Sequence, residues 1–134
     1  MLHLIDKRRL RYWNVWFVVG CLLISSVVWG SLMAPSDAPS LISNDKVMHA
    51  LAYAVIALWW LQLVRGRVSG LSVVVATVLL GVGVEIAQSF HPLRHFDYWD
   101  MLANLIGALC AAGLAALGAN RGLYRLERHL LGHR

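Results

Sequence analysis

The sequence predicts an all-α integral membrane bundle of four transmembrane helices with both termini cytoplasmic. Three observations carry that expectation: four long charge-free apolar runs, a mean hydropathy of +0.63 with only 14% charged residues, and basic residues gathered on one side of the runs. The runs, Tyr12 to Leu32, Val47 to Val64, Val68 to Val84 and Met101 to Asn120, contain 17 to 21 residues each. At about 1.5 Å per residue such helices cross roughly 25–32 Å, the thickness of a bilayer's hydrocarbon core.

The 134 residues form one domain, 1–134, with helices expected at about 12–32, 45–64, 68–90 and 97–120. A net charge of +5 and a pI near 9.8 do not indicate nucleic acid as a partner. A nucleic-acid binder would group its basic residues on a folded soluble face, whereas these flank apolar segments. Cys21 and Cys110 lie in separate apolar runs, so they suggest neither a disulfide framework nor a cysteine metal site, and read as buried thiols.

The first run comes after Lys7, Arg8, Arg9 and Arg11. It is too long for a secretory signal, and Leu32-Met33-Ala34 before Pro35 makes a poor cleavage site, so an uncleaved span is expected. The connector to the second helix holds Pro35 and Pro39, with Ser43 or Asn44 placed to cap that helix. Arg65 and Arg67 link the second and third helices. Pro92 ends the third run, and Phe96, Tyr98 and Trp99 suit the headgroup level. Along the fourth helix Ala103, Gly107, Ala111, Ala115 and Ala119 recur every four residues, a stripe that admits a neighbouring helix closely. Segment 122–134, with Arg125 and Arg128, reads as a cytoplasmic helix on anionic lipid.

Ten of the twelve basic residues fall before the first helix, between the second and third, or after the fourth. The positive-inside rule makes that side cytoplasmic and turns Met33 to Asn44 and Ile86 to Trp99 outward. The acidic residues divide the other way: Asp37, Asp45, Glu85, Asp97 and Asp100 lie outside or at the outer edge, against Asp6 and Glu127 inside. Topology does not account for that gathering, because the rule counts Lys and Arg and says little about acids.

Helical spacing aligns these outer groups. Asp45, His49 and Tyr53 step by four along one face of the second helix, with Lys46 beside them; Glu85 and Gln88 share a face of the third; Asp97, Asp100, Asn104 and Gly107 share a face of the fourth. Each has a quieter explanation. Asp97 and Asp100 suit a helix start, Asp45 complements a helix dipole, Lys46 can snorkel, and His49 and Tyr53 can be structural donors or packing residues. Glu85 resists such an explanation: it ends a long apolar run, no helix starts there, and a carboxylate at that depth needs a cation or donors. His91 and His95 flank Pro92, and two histidines alone make a weak metal signal. No metal site is assigned.

The ordered set Asp45-Lys46-x-x-His49-x-x-x-Tyr53, Glu85-x-x-Gln88 and Arg94-x-x-Asp97-x-x-Asp100-x-x-x-Asn104-x-x-Gly107 resembles the signature of the VanZ-like membrane proteins, over about 45–113. Ala50 stands where members often carry Phe, and Leu93 where many carry Gly. The resemblance implies a multi-pass protein of the bacterial inner (cytoplasmic) membrane in the cell envelope, with a role of the teicoplanin-resistance type and no assigned reaction or cofactor. Its expected partners are membrane lipids and an anionic or lipid-linked envelope ligand. Three functions are open. An envelope enzyme would use Glu85 or Asp100 with His49 to move a proton, or a divalent ion on Glu85, Asp97 and Asp100. A binder would hold a headgroup on Lys46 and Arg94, within a pocket completed by Asp45, Tyr53, Gln88, Asp97 and Asn104. A scaffold would use the same residues as an ion-pair network.

Overall fold

A computed structural model describes residues 10–33, 44–90, 92 and 96–131. Those residues are all-helical in architecture: α1 (Trp13–Leu32), α2 (Asp45–Leu63), α3 (Arg67–Ser89), α4 (Tyr98–Ala116), a short 3-10 turn (Ala119–Arg121) and α5 (Gly122–Leu131). The first four are long and apolar enough to cross a membrane, which makes this a multi-pass membrane protein. Large apolar side chains such as Leu22, Leu51, Leu79 and Leu109 are exposed along them, as helices facing hydrocarbon require.

The centre of the bundle is the α2–α4 pair, and small residues set its closeness. Ala57, Ala108, Ala111 and Ala115 are buried together with Leu61 and Val74. A Cβ built on Gly107 would lie 2.1 Å from the backbone oxygen of Ala50, so the two helices meet through main-chain atoms at that level. This is the small-residue packing of membrane bundles, in which dispersion replaces a hydrophobic drive that lipid cannot provide. α3 packs on both partners.

The fourth helix stops earlier than the alanine spacing predicts. It ends at Ala116; Gly118 takes the left-handed conformation (φ 102°) that reverses the chain, and Ala119 falls in the 3-10 turn. Such a φ is open to glycine at little cost, so the stripe's last alanine is outside the helix. A second correction concerns the cysteines. Cys21 and Cys110 are both exposed, on the outer surfaces of α1 and α4, because their helices turn other faces inward.

α1 buries only Gly20 and is held chiefly at its ends. At one end the Gln88 side-chain amide donates to the Ser31 carbonyl at 2.7 Å. At the other, Trp59 Nε1 donates to the Trp16 carbonyl at 3.0 Å, and α5 folds back against the start of α1. There the buried Glu127 carboxylate accepts from Arg11 N (2.7 Å), Tyr12 N (2.9 Å) and Trp16 Nε1 (2.6 Å). The N-cap residue Tyr12 makes no side-chain cap of its own. Glu127 therefore performs from a distance what a capping side chain does locally, and its charge suits a helix N-terminus. Leu123 N donates to Gln62 Oε1 at 2.9 Å, fixing α5 to α2 as well.

Candidate functional site

Chain direction gathers the polar residues: α2 and α4 begin, and α1 and α3 end, at the same end of the bundle. Asn44 caps α2, its side-chain oxygen accepting from Val47 N at 3.3 Å. Asp97 caps α4, its Oδ1 accepting from Trp99 N at 2.8 Å. These caps fix the two helix starts, so that the first turns of α2 and α4 face each other with Asp45, Lys46 and His49 opposite Asp97, Asp100 and Asn104.

Lys46 bridges the two helices. Its ammonium donates to Asp97 Oδ2 and Asp100 Oδ1 and lies 3.9 Å from Asp45. The ammonium, then the Trp99 N–H, hold the Asp97 carboxyl below the usual aspartate range. One turn deeper, His49 Nδ1 donates to Asn104 Oδ1 at 3.1 Å. Its Nε2 lies 3.6 Å from Asp100 Oδ2 and 3.8 Å from Asp45 Oδ1. Asp100 thus divides its oxygens between Lys46 and the histidine. His49, Asp100 and Asn104 are buried, while Asp45 stands exposed at the rim.

Glu85 enters from α3 and is 1% exposed. Its Oε1 accepts from Asp97 N at 2.6 Å, which ties the end of α3 to the start of α4. Among the described residues its Oε2 has no hydrogen-bond partner. Tyr53, also 1% exposed, leaves its hydroxyl unpartnered among the described residues. An acid and a phenol enclosed with free polar atoms violate the rule that buried polar groups find partners, and that defect marks the deep end of the cluster.

The structure therefore brings Asp45, Lys46, His49, Glu85, Asp97, Asp100 and Asn104 into one connected cluster, with Tyr53 beneath. Gln88 is buried, but its amide is directed to α1. Arg94, His91 and His95 lie outside the described residues. Lys46 does not snorkel: its charge is turned onto the aspartates. Gly81 is a site-shaping residue that spacing did not reveal. A Cβ there would meet Asn104 Nδ2 at 2.8 Å and Tyr53 Cε1 at 3.0 Å, so its missing side chain makes the space those two occupy. Its only trace in sequence is one glycine among several in α3.

Chemically, the cluster offers an ammonium for an anion, an imidazole between two carboxylates, and a sequestered carboxylate. No family model matches the chain. No solved structure matches it either. A protein of the fission yeast Schizosaccharomyces pombe, described as uncharacterized, is 37% identical over 93 residues, a stretch that takes in 67% of this chain and 57% of the yeast protein. This chain is similar to that protein over less than two thirds of the relative's length.

Proposed function

We propose that the protein is a VanZ-like component of the bacterial inner membrane, with both termini cytoplasmic. In this reading its polar pocket opens away from the cytosol and binds the anionic headgroup of an envelope lipid or lipid-linked precursor. The observation that carries it is Glu85: a carboxylate enclosed at the end of a membrane helix, one oxygen committed to the Asp97 N–H and the other free. Membrane-embedded acids are costly and serve function by default. The cluster lies where α2 and α4 begin, and Tyr98 and Trp99, amphipathic aromatics suited to the headgroup level, stand exposed in the first turn of α4 between Asp97 and Asp100. Lys46, half-exposed, is the cation such a headgroup would meet, with Arg94 expected as a second. The resemblance adds a role of the teicoplanin-resistance type; the headgroup chemistry stands without it.

The test is gentle extraction followed by mass analysis of the lipids that remain bound. Wild type should retain a defined anionic lipid that Lys46→Ala, Arg94→Ala and Glu85→Gln lose while staying abundant in the membrane. Equal lipid in all four would defeat the proposal. A second reading is favoured by one observation: Lys46 already satisfies Asp97 and Asp100, as a helix-pinning network would. That reading expects the variants to vanish from the membrane instead of persisting without lipid.

A further inference from the structure

We infer that Asp45, His49 and Asp100 form a binding site for a divalent transition-metal ion of the Zn²⁺ or Mn²⁺ type. One ligand atom from each lies within 4.8 Å of the others, and two of the three residues are buried. His49 Nδ1 faces Asn104 Oδ1 at 3.1 Å, and in the neutral tautomer that donates there the lone pair is on Nε2. That lone pair is directed at two carboxylate oxygens, 3.6 and 3.8 Å away, and His49 is only 9% exposed. Three acceptors facing one another require a cation among them.

The spacing indicates which cation. A proton on Nε2 would draw a carboxylate to about 2.7–2.9 Å, the length of a charged N–H···O bond. Neither oxygen is that close. Ligands placed about 2.0–2.2 Å from a shared tetrahedral ion stand roughly 3.3–3.6 Å apart, so the two histidine–carboxylate separations need to close by only a few tenths of an ångström, and the exposed Asp45 carboxylate can swing to bring the two acids, which lie within 4.8 Å of each other, to the same spacing. One nitrogen and two carboxylate oxygens form a donor set for Zn²⁺ or Mn²⁺.

The surroundings have the form of a metal site's outer shell. Ligating histidines hand their other ring N–H to a carbonyl or carboxylate, and Asn104 receives it here. Asp100 is oriented through its second oxygen by Lys46. Among the described residues, three aspartates at this end, Asp45, Asp97 and Asp100, meet a single ammonium, so the cluster holds more acids than its one lysine can pair. Independently of His49, Glu85 is 1% exposed and, among the described residues, has an unpartnered Oε2. Asp45 at the exposed rim leaves the ion one face open to water or to a ligand oxygen. Three protein ligands and an open position are the pattern of reactive rather than structural metal sites.

The inference does not require the headgroup reading, and its test contains no added lipid ligand. The full chain, purified with an affinity tag free of histidine and stripped with a chelator, is dialysed against Zn²⁺ or Mn²⁺ and its metal content measured. Folded wild type should take up one ion per chain. Affinity should fall at least tenfold in Asp45→Asn, an exposed position outside the packed core, and binding should be lost in His49→Gln and Asp100→Asn. Cys110→Ser, on the outer surface of α4 away from the cluster, should keep one ion. X-ray absorption on the loaded protein should show nitrogen and oxygen neighbours without sulfur. Absence of uptake by folded wild type, or equal uptake by wild type and Asp45→Asn, overturns the inference, even if the two buried variants fail to fold.

Discussion

Gly107→Ala tests the bundle at its closest point. The added Cβ would stand 2.1 Å from the Ala50 carbonyl oxygen, 2.9 Å from its carbon and 3.0 Å from Ala54 N. Close carbon–oxygen contacts between helices settle at about 3.3–3.6 Å, so α2 and α4 must separate locally by roughly 1.2 Å. All three obstructing atoms are backbone, which excludes relief by a rotamer change. Overpacking costs about 1–3 kcal/mol, and a backbone clash belongs at the upper end; alanine's better helix propensity returns up to about 1 kcal/mol. The net loss is about 2 kcal/mol, or roughly thirtyfold in the folding equilibrium. The same separation opens the site, because the 3.1 Å His49–Asn104 hydrogen bond spans these two helices one turn away. Unfolding in lipid nanodiscs should therefore show reduced stability together with weakened metal uptake. Gly83→Ala and Gly113→Ala, where a Cβ meets nothing within 4 Å, are the controls and should be neutral or slightly stabilising. A Gly107→Ala protein as stable as the controls would refute the close α2–α4 approach.

Other parts of the chain can be tested separately. Glu127→Ala removes the acceptor of three donors at the start of α1 and should cost about 1.5–3 kcal/mol, the worth of a charged hydrogen bond; hydrogen exchange should rise at Arg11 and Tyr12, and unchanged exchange would remove Glu127 as the cap. Asp97 is held below the usual aspartate range by Lys46 and the Trp99 N–H. Its stabilising contribution is therefore present above the unfolded value, about 3.9, and is lost as pH falls through the lower folded value. Melting followed from pH 6 downward should show a smaller acid loss in Asp97→Asn than in wild type, and identical curves would deny the coupling. Cys21 and Cys110 face outward on apolar helix surfaces, so in nanodiscs a lipophilic maleimide should label both and a sulfonated one neither. Rapid labelling by the charged reagent would place those faces in water.

The helices were legible because hydrocarbon demands long uninterrupted apolar runs, and these four runs have charged or proline-containing boundaries. The site was legible by position: four-residue steps placed His49 below Asp45 and Asn104 below Asp100, and the helix ends coincide. Partnership was not legible. Periodicity fixes a face but not which neighbour it meets, so nothing distinguished Lys46 pairing with the aspartates from Lys46 reaching the headgroups, nor Gln88 serving α1 from Gln88 serving the pocket. Glu127 shows the same limit at greater sequence distance. An acid in a basic tail reads as a solvated charge, and only the return of α5 against α1, 116 residues away, turns it into a cap. Gly118 was one of several glycines, and the conformation that ends α4 leaves no periodic signature.

Tyr53 separates a scaffold from a working pocket. Its hydroxyl is enclosed without a partner, as is Glu85 Oε2, and an unsatisfied buried polar group costs about 1–3 kcal/mol. If the cluster served stability alone, phenylalanine would be the better residue, since it keeps the ring and removes the penalty. Tyr53→Phe should then melt at or above wild type. A site kept for a ligand makes a second demand, that the same variant bind its lipid or metal more weakly, because the hydroxyl and Oε2 together offer a donor and an acceptor to any group that enters, a bridging water included. Greater stability with weaker binding is the expected pair of results. A loss of about 1 kcal/mol or more in the ligand-free protein, the worth of a made hydrogen bond, would mean that the hydroxyl already has a strong partner and would move Tyr53 from the binding machinery to the framework of the bundle.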